Sequence, residues 1–559
     1  MKSVIKLVII YIVAVAGYAV FITRFTIPVH LNVDEELYIS MARSFHYDGM
    51  FSQNGQILNY SCVLYSMLLS LAYFFYHPEH IMFALRMIGI MVMLSSIFPI
   101  YLLSKEISGR GQQAIKVTAF ACVLPSMMHT AYCLQEVLCY PLSLWLLYAV
   151  YIEIRNNKID NISWEMWPIT IMGVLCYFTK TYMIFFPVIY CIFIVINAFR
   201  EKRFAWKKPV IFLGTYFILY LLFKQMILYI NNGVVGTNHY DRQFSWLFPI
   251  TGDTIISAVS CIVFYTIALA FYVGVLPLVL PLINYKKYDE NDRKFLLFIF
   301  GALAILIVEV VISIVLTEEG NVLVPRKFLW RYFQIFEVPL ILLFLKKYKD
   351  FKIPAWIWKV YVMVFGYLTV YYVYIGTEQK TSISDAPVFL LMENINRYII
   401  PYFNVLACMC GALAVILAYV LKRRNKIRSI TGSFIQLTAL GIIILFLINL
   451  FQLPFYTNVT ANGSAIQADA IRIVDYWQEH YDTYEKVYFV KTEHDRYEGN
   501  VYAYFPIEIY KISENELDTI QDSSLIILSK SSEVSTEMKE LNLDTEMLRV
   551  VIAEAGDKQ

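Results

Sequence analysis

The sequence predicts an α-helical, polytopic membrane protein that carries a small α/β domain at its C-terminal end. Three observations support this: 59% of the 559 residues are hydrophobic and only 16% are charged, mean hydropathy is +0.57, and clusters of lysine and arginine separate the apolar runs. A soluble domain has about a quarter of its residues charged. A net charge of +2 with no basic face excludes a general attraction to nucleic acid. The partner that the composition requires is the lipid bilayer.

A membrane span needs about 20 apolar residues, and the positive charges of short loops set its direction. The run from Val4 to Ile22 follows Lys2 and has no small-residue cleavage site after it, so it reads as a retained signal anchor with a cytoplasmic N-terminus. The next run, from Tyr60 to Tyr76, is barely long enough to cross. Crossing would place Lys105, Arg110, Lys116, Arg155 and Lys158 outside, against the charge rule. The run is therefore expected to lie in the interface. Spans then follow near 81–103, 113–128, 137–154, 167–179, 182–199, 209–231, 254–284, 295–316, 330–346, 354–375, 401–421 and 431–454. The intervening cytoplasmic loops hold the basic clusters around Arg200, Lys286, Lys346 and Lys422. This gives about thirteen transmembrane helices, with the C-terminus outside.

The chain divides into a transmembrane domain, 1–454, and an extracytoplasmic α/β domain, 455–559, where the composition turns polar. In the latter, Ile466, Ala470, Ile473, Val474 and Trp477 line one face of a helix. Strands are predicted at 486–492, 500–510, 524–528 and 548–553, three of them apolar enough to be buried on both faces.

The nine cysteines fall almost entirely in apolar stretches and include no Cys-x-x-Cys pair, so they read as small core residues. His30, His46, His77, His80 and His129 lie on the outer side and read as scattered surface residues.

The chemistry is expected where the first span hands over to a polar loop, at Asn32-Val33-Asp34-Glu35-Glu36-Leu37-Tyr38. Asn32 and Glu35 have the spacing of a capping box, and Asp34 and Tyr38 share a helical face. With the topology assigned, other ionisable residues gather on the same outer side: Arg43, Glu136, Lys180 in a sharp turn, and Arg326, Lys327, Arg331 and Tyr332 in a later loop. A carboxylate at a membrane surface can act as a general base, worth ~10²–10⁴ in rate. Basic side chains suit a departing phosphate. The chemistry that needs both at a bilayer surface is transfer from a lipid-linked phosphate. Asp34 and Glu136 could share a divalent metal or share a substrate, and both options stay open at this point.

Within the spans, Lys224, Glu309 and Glu337 should face the protein interior, because a charge at the bilayer centre costs ~2.5–3.5 kcal/mol on insertion scales. Lys224 and Glu309 lie at similar depth and could pair. Glu337 lies where it could hold Arg331. A transporter or flippase of lipid-linked sugars would use such intramembrane charges as a path. A polysaccharide polymerase or ligase would share the lipid-linked donor, but normally has a large arginine-rich outer loop that this chain lacks.

The run Val33-Asp34-Glu35-Glu36-Leu37-Tyr38-Ile39-Ser40-Met41-Ala42-Arg43-Ser44, placed after a first span, resembles the acidic signature of the C-type membrane glycosyltransferases, especially the protein O-mannosyltransferases and aminoarabinose transferases. Leu124-Pro125-Ser126 to Tyr140-Pro141, with Glu136 inside it, is similar to the family's second loop. Phe178-Thr179-Lys180 and Trp330-Arg331-Tyr332-Phe333 resemble its basic turn and its Arg-Tyr loop. The resemblance implies eleven to thirteen spans with outer juxtamembrane helices. It also implies transfer of a sugar, with inversion, from a polyprenyl-phosphate donor to an envelope glycan, lipid or protein outside the cytoplasm. On that basis Asp34 is expected to be the base, Glu136 a second catalytic acid, and Lys180 and Arg331 contacts to the lipid phosphate. Glu35, Tyr38, Arg43, Arg326 and Tyr332 complete the expected substrate-binding set.

Overall fold

The computed structural model describes residues 2–25, 33–75, 78–202, 206–234, 252–317, 328–375, 400–423, 460–491, 509–520, 523–530 and 538–553, apart from positions 54, 159–160, 352 and 547. Residues 386, 388–389, 392, 395–396 and 505 are also described. Among the described residues, nine helices are long and apolar enough to cross a membrane, so this is a multi-pass membrane protein.

The helices are α1 (Lys2–Phe25), α2 (Val33–Asp48), α3 (Leu64–Leu69), α4 (Pro78–Leu94), α5 (Ile97–Ser108), α6 (Gly111–Ala121), α7 (Glu136–Arg155), α8 (Met166–Thr179) and α9 (Phe185–Arg200). They continue as α10 (Lys207–Ile230), α11 (Gly252–Tyr272), α12 (Val275–Ile283), α13 (Glu290–Thr317), α14 (Trp330–Phe333), α15 (Glu337–Lys347), α16 (Ala355–Ile375), α17 (Phe403–Arg423) and α18 (Thr460–Glu479).

The expected thirteen spans resolve unevenly. Three of them are helices too short to cross alone. The span expected at 113–128 ends with α6, because Leu124 takes the extended backbone that the following Pro125 imposes. The span at 167–179 is the 14-residue α8. At 330–346 a single turn, α14, and a 3₁₀ segment precede the 11-residue α15. The span expected at 254–284 is divided into α11 and α12 at Gly274, whose φ of +91° suits glycine and breaks the helix. The span at 431–454 lies outside the described residues. Leu64–Phe74 is helical and too short to cross alone. Its Tyr65, Leu69 and Tyr73 are buried, while Leu71 and Phe74 point outward, the division expected of an interfacial helix.

Loops assigned to one side of the membrane meet at one end of the bundle. Glu106 pairs with Arg155, Lys294 with Glu201 at 2.8 Å, and Lys346 with both Asp289, at 2.9 Å, and Asp292. Lys208 Nζ reaches Glu153 Oε1 at 2.5 Å and donates to the Lys158 carbonyl at 2.7 Å. The basic loops assigned to one side thus meet in the fold. Lys224 and Glu309 do not pair. Lys224 lies on the exposed side of α10, and Glu309 is partly buried in α13 with no ion-pair contact to it.

A hairpin, β1 (Ser52–Gln53) with β2 (Gln56–Ile57), follows α2. Sequence reading passed over it, although Asn54-Gly55 is a strong hairpin signal and Gly55 has φ +72°. Asn231, after α10, holds the hairpin's base: its side chain accepts from the Phe51 amide at 3.0 Å and donates to the Leu58 carbonyl at 3.1 Å.

In the C-terminal α/β domain, α18 buries Ala470, Ile473, Val474 and Trp477. The strands are β3 (Lys486–Lys491), β4 (Ile509–Ser513), β5 (Ser524–Ser529), β6 (Lys539–Leu541) and β7 (Leu548–Ala553), in sheet order β4-β3-β5-β7-β6. β3 runs parallel to β4 and β5, and β7 runs antiparallel to β5 and β6. The strand expected at 500–510 lies mostly outside the described residues and continues past Tyr510 to Ser513, where a capping box with Glu516 starts a 3₁₀ turn. Short, polar β6 carries no strand signal of its own. Trp477 and Phe505 join the same buried cluster as the transmembrane helices, so the domain packs onto the bundle.

Glu153 and Lys208 are both buried, and Tyr190 donates to the same carboxylate at 2.6 Å. Removing one partner of a buried pair costs about 3–5 kcal/mol. Lys208→Ala is expected to lose that much stability on thermal unfolding in detergent, whereas Lys207→Ala, at an exposed neighbour, should stay within about 0.5 kcal/mol.

Candidate active site

The first turn of α2 presents three successive acids, which suits the positive end of a helix. Successive residues turn by about 100° around a helix, so the three carboxylates point in three directions. Each meets a cation from a different part of the chain. Asp34 Oδ2 accepts from both terminal nitrogens of Arg331, at 3.4 and 3.5 Å. Glu35 faces Arg86 at 3.6 Å and accepts from the Cys133 amide at 2.7 Å. Glu36 pairs with Lys511 of the C-terminal domain.

Glu136 opens α7 and is fully buried. Arg331 Nε lies 3.2 Å and Lys180 Nζ 2.9 Å from its Oε1. Arg331 thereby bridges the two carboxylates that the sequence marked as catalytic. Burial disfavours the Lys180 ammonium, but the adjoining Glu136 carboxylate more than offsets it and holds the lysine above its ordinary pKa. Lys180 reaches Glu136 because the chain bends there: α8 ends at Thr179, and Lys180 is extended at φ −154° before a 3₁₀ turn begins.

Aromatic rings wall the cluster. Lys180 Nζ is 5.9 Å from the ring centroids of both Tyr38 and Tyr332, and Arg331 is 5.6 Å from that of Tyr332. Tyr182 and Tyr332 pack at 4.3 Å. Of the charged members, Asp34 is the accessible one, with 43% of its side chain exposed against 11% for Arg331 and 0% for Glu136.

Arg331 is held from behind. Trp330 is fully buried, stacks on Tyr272 at 4.4 Å and donates to Ser126 Oγ at 3.2 Å. Ser126 in turn donates to Glu337 at 2.6 Å, and His129 Nδ1 lies 2.9 Å from Gln334 Oε1. Glu337 therefore supports Arg331 through Ser126 and Trp330, not by the direct contact that its spacing suggested. His129, expected at the surface, is buried in this network. Of the other histidines, His46 packs edge-on against Tyr47 and Phe74, His80 is exposed, and His30 and His77 lie outside the described residues.

The structure brings together Asp34, Tyr38, Glu136, Lys180, Arg331 and Tyr332. Glu35 turns into the protein toward Arg86 and Cys133, so it is not at the exposed face; the expected capping box involves Asn32, which lies outside the described residues. Arg43 is buried farther along α2, where it acts on the Tyr73 hydroxyl, away from the cluster. Arg326 and Lys327 lie outside the described residues. Sequence reading missed Arg86, Ser126, Gln334, Tyr182 and Lys511; for Arg86 the only signal was a cation inside an apolar run.

The described residues of the cluster do not by themselves form a divalent-metal site. Among the described residues no group of three metal-ligating side chains occurs, and the Arg331 guanidinium lies between Asp34 and Glu136 where an ion would sit.

Two crystal structures match the chain over nearly its whole length. ArnT from Cupriavidus metallidurans bound to undecaprenyl phosphate aligns with a TM-score of 0.57 and 11% identity, covering 98% of this chain and 99% of that one. The apo structure of ArnT from the same organism aligns with a TM-score of 0.55 and 12% identity, covering 99% of each chain. No family model and no curated protein matches the sequence. The chain thus has the fold of these ArnT structures, in line with the fold that the sequence resemblance implied.

The two neighbouring acids should respond differently to substitution. Glu35→Ala leaves Arg86 buried beside an amide without its acceptor, and is expected to cost about 3–5 kcal/mol of stability. Asp34→Asn, at an exposed carboxylate, should lower the unfolding temperature far less in the same detergent.

Proposed function

We propose that the protein is a membrane glycosyltransferase that moves a sugar from a polyprenyl-phosphate donor to an envelope glycan, lipid or protein acceptor outside the cytoplasm. The observation that carries this reading is the bridged pair of carboxylates, Asp34 and Glu136, with Arg331 and Lys180 between and beside them. Similarity in fold to an ArnT structure bound to undecaprenyl phosphate supports a lipid-phosphate donor.

In this mechanism Asp34 takes the proton of the acceptor hydroxyl. Arg331 engages Oδ2 of Asp34, which leaves Oδ1 to accept that proton. The acceptor oxygen bonds to the anomeric carbon as the bond from that carbon to the phosphate oxygen breaks, and the electron pair leaves with polyprenyl phosphate. The charge that develops on the phosphate is met by Arg331 and Lys180, cations already desolvated and in place. Glu136 holds both cations in position, and Tyr38 and Tyr332 supply flat faces for a sugar or lipid head. Residues 1–454 form the transferase body, and 455–559 shape access of the acceptor. The site end faces out of the cytoplasm, because the opposite end carries the basic loops with Arg155, Arg200, Lys286 and Lys346. A lipid-linked sugar flippase would need a charged path, and the Lys224–Glu309 pair that would support one is not formed.

Purified protein given polyprenyl-phosphate sugars with several head groups is expected to release free polyprenyl phosphate. Asp34→Asn should lower that release by ~10²–10⁴, the worth of a general base, while keeping the wild-type unfolding temperature. Movement of lipid-linked sugar across liposomes with no release from any donor would replace the transferase with a flippase.

A further inference from the structure

The proposed mechanism needs Asp34 at a defined place, yet Asp34 is the most exposed member of its cluster and sits in a helix's first turn, where fraying is easiest. Arg331 pulls on it from one side only. Two residues along, on a side of α2 about 200° away, Glu36 is paired with Lys511, 475 residues distant in sequence. The pair is largely buried, with side chains 12% and 18% exposed, so water screens it poorly.

Lys511 is itself firmly placed. It belongs to β4, which is paired with β3 along its full length, from Val487 with Ile509 to Lys491 with Ser513. The preceding residue, Tyr510, lies against Gly55 in the hairpin, so closely that a side chain at Gly55 would collide with its ring. Adjacent residues of one edge strand thus touch α2 and the hairpin that follows it.

We propose that Lys511 is a positioning residue: through Glu36 it holds the first turn of α2 in register, so that the C-terminal domain sets the distance from Asp34 to its substrate. This rests on the transferase reading and adds to it a role for a domain that, among the described residues, supplies none of the charged groups at the site. The alternative is a contact that serves stability alone, which the two measurements below separate from a positioning role.

The first measurement is steady-state release of polyprenyl phosphate. Lys511→Glu sets two acids against each other and is expected to lower kcat by about ten- to a hundredfold with KM for the donor unchanged, the signature of a displaced reacting group. The exchanged pair, Glu36→Lys with Lys511→Glu, should recover most of the lost kcat. An unchanged kcat in Lys511→Glu, or a loss that the exchanged pair does not repair, overturns the proposal. The second measurement needs no turnover: amide hydrogen exchange over Val33–Tyr38 should speed up in Lys511→Glu and return toward wild type in the exchanged pair. Equal protection in all three proteins also overturns the proposal. If wild type releases no lipid phosphate, the transferase reading fails, and the exchange experiment still decides whether Lys511 holds α2.

Discussion

Arg331 is the constraint around which the rest is arranged. A guanidinium spreads its charge over one plane, and here its terminal nitrogens donate to Asp34 while Nε lies in ion-pair contact with Glu136 at 3.2 Å. A lysine could not span both carboxylates with this geometry. Burial of Glu136 requires such a partner, since an unpaired carboxylate in that position would be strongly destabilising. The buried framework of Trp330, Ser126, Glu337, His129 and Gln334 then makes sense as a mount for one side chain. It joins the 3₁₀ segment Pro125–Ala131 after α6 to the stretch before α15, and so fixes Arg331 relative to Glu136.

The ionic contacts differ in kind at the two ends of the bundle. At the basic end, Lys208 with Glu153 and Lys346 with Asp289 and Asp292 close the loops onto one another. At the site end Asp34, Glu136, Lys180 and Arg331 join in one cluster with one accessible carboxylate. Ion pairs of the first kind hold helix ends together. On the proposed transferase reading, the second kind leaves a group exposed to react while its neighbours stay desolvated, which is where electrostatic stabilisation of a transition state is strongest.

Several residues show why the site was partly legible. Asp34, Glu136, Lys180 and Arg331 were readable because an ionisable residue beside an apolar span is costly and conspicuous. Glu35 and Arg43 looked equivalent to Asp34 in the same run, but a residue's side of a helix becomes known only when its neighbours are. Their contacts, with Arg86 and the Cys133 amide for Glu35 and with Tyr73 for Arg43, separate them from the cluster. His129 was read as a surface residue for the same reason. The α11–α12 break at Gly274 and the early stop of α6 carried weak local signals in Gly and Pro, which the apolar runs around them masked.

Composition and charge order determined that this is a multi-pass membrane protein and singled out the four charged residues that the fold brings into contact. These follow from local physics: apolar length is set by bilayer thickness, and basic loops stay on one side. Only the tertiary structure decided which acid of Asp34, Glu35 and Glu36 faces the cluster and which cation each one meets. It also decided that Lys511 reaches the first turn of α2 and that Glu337 acts through Ser126. Those pairings join residues tens to hundreds of positions apart. Their partners are selected by packing of whole helices and a docked sheet, for which no short stretch of sequence carries a signature.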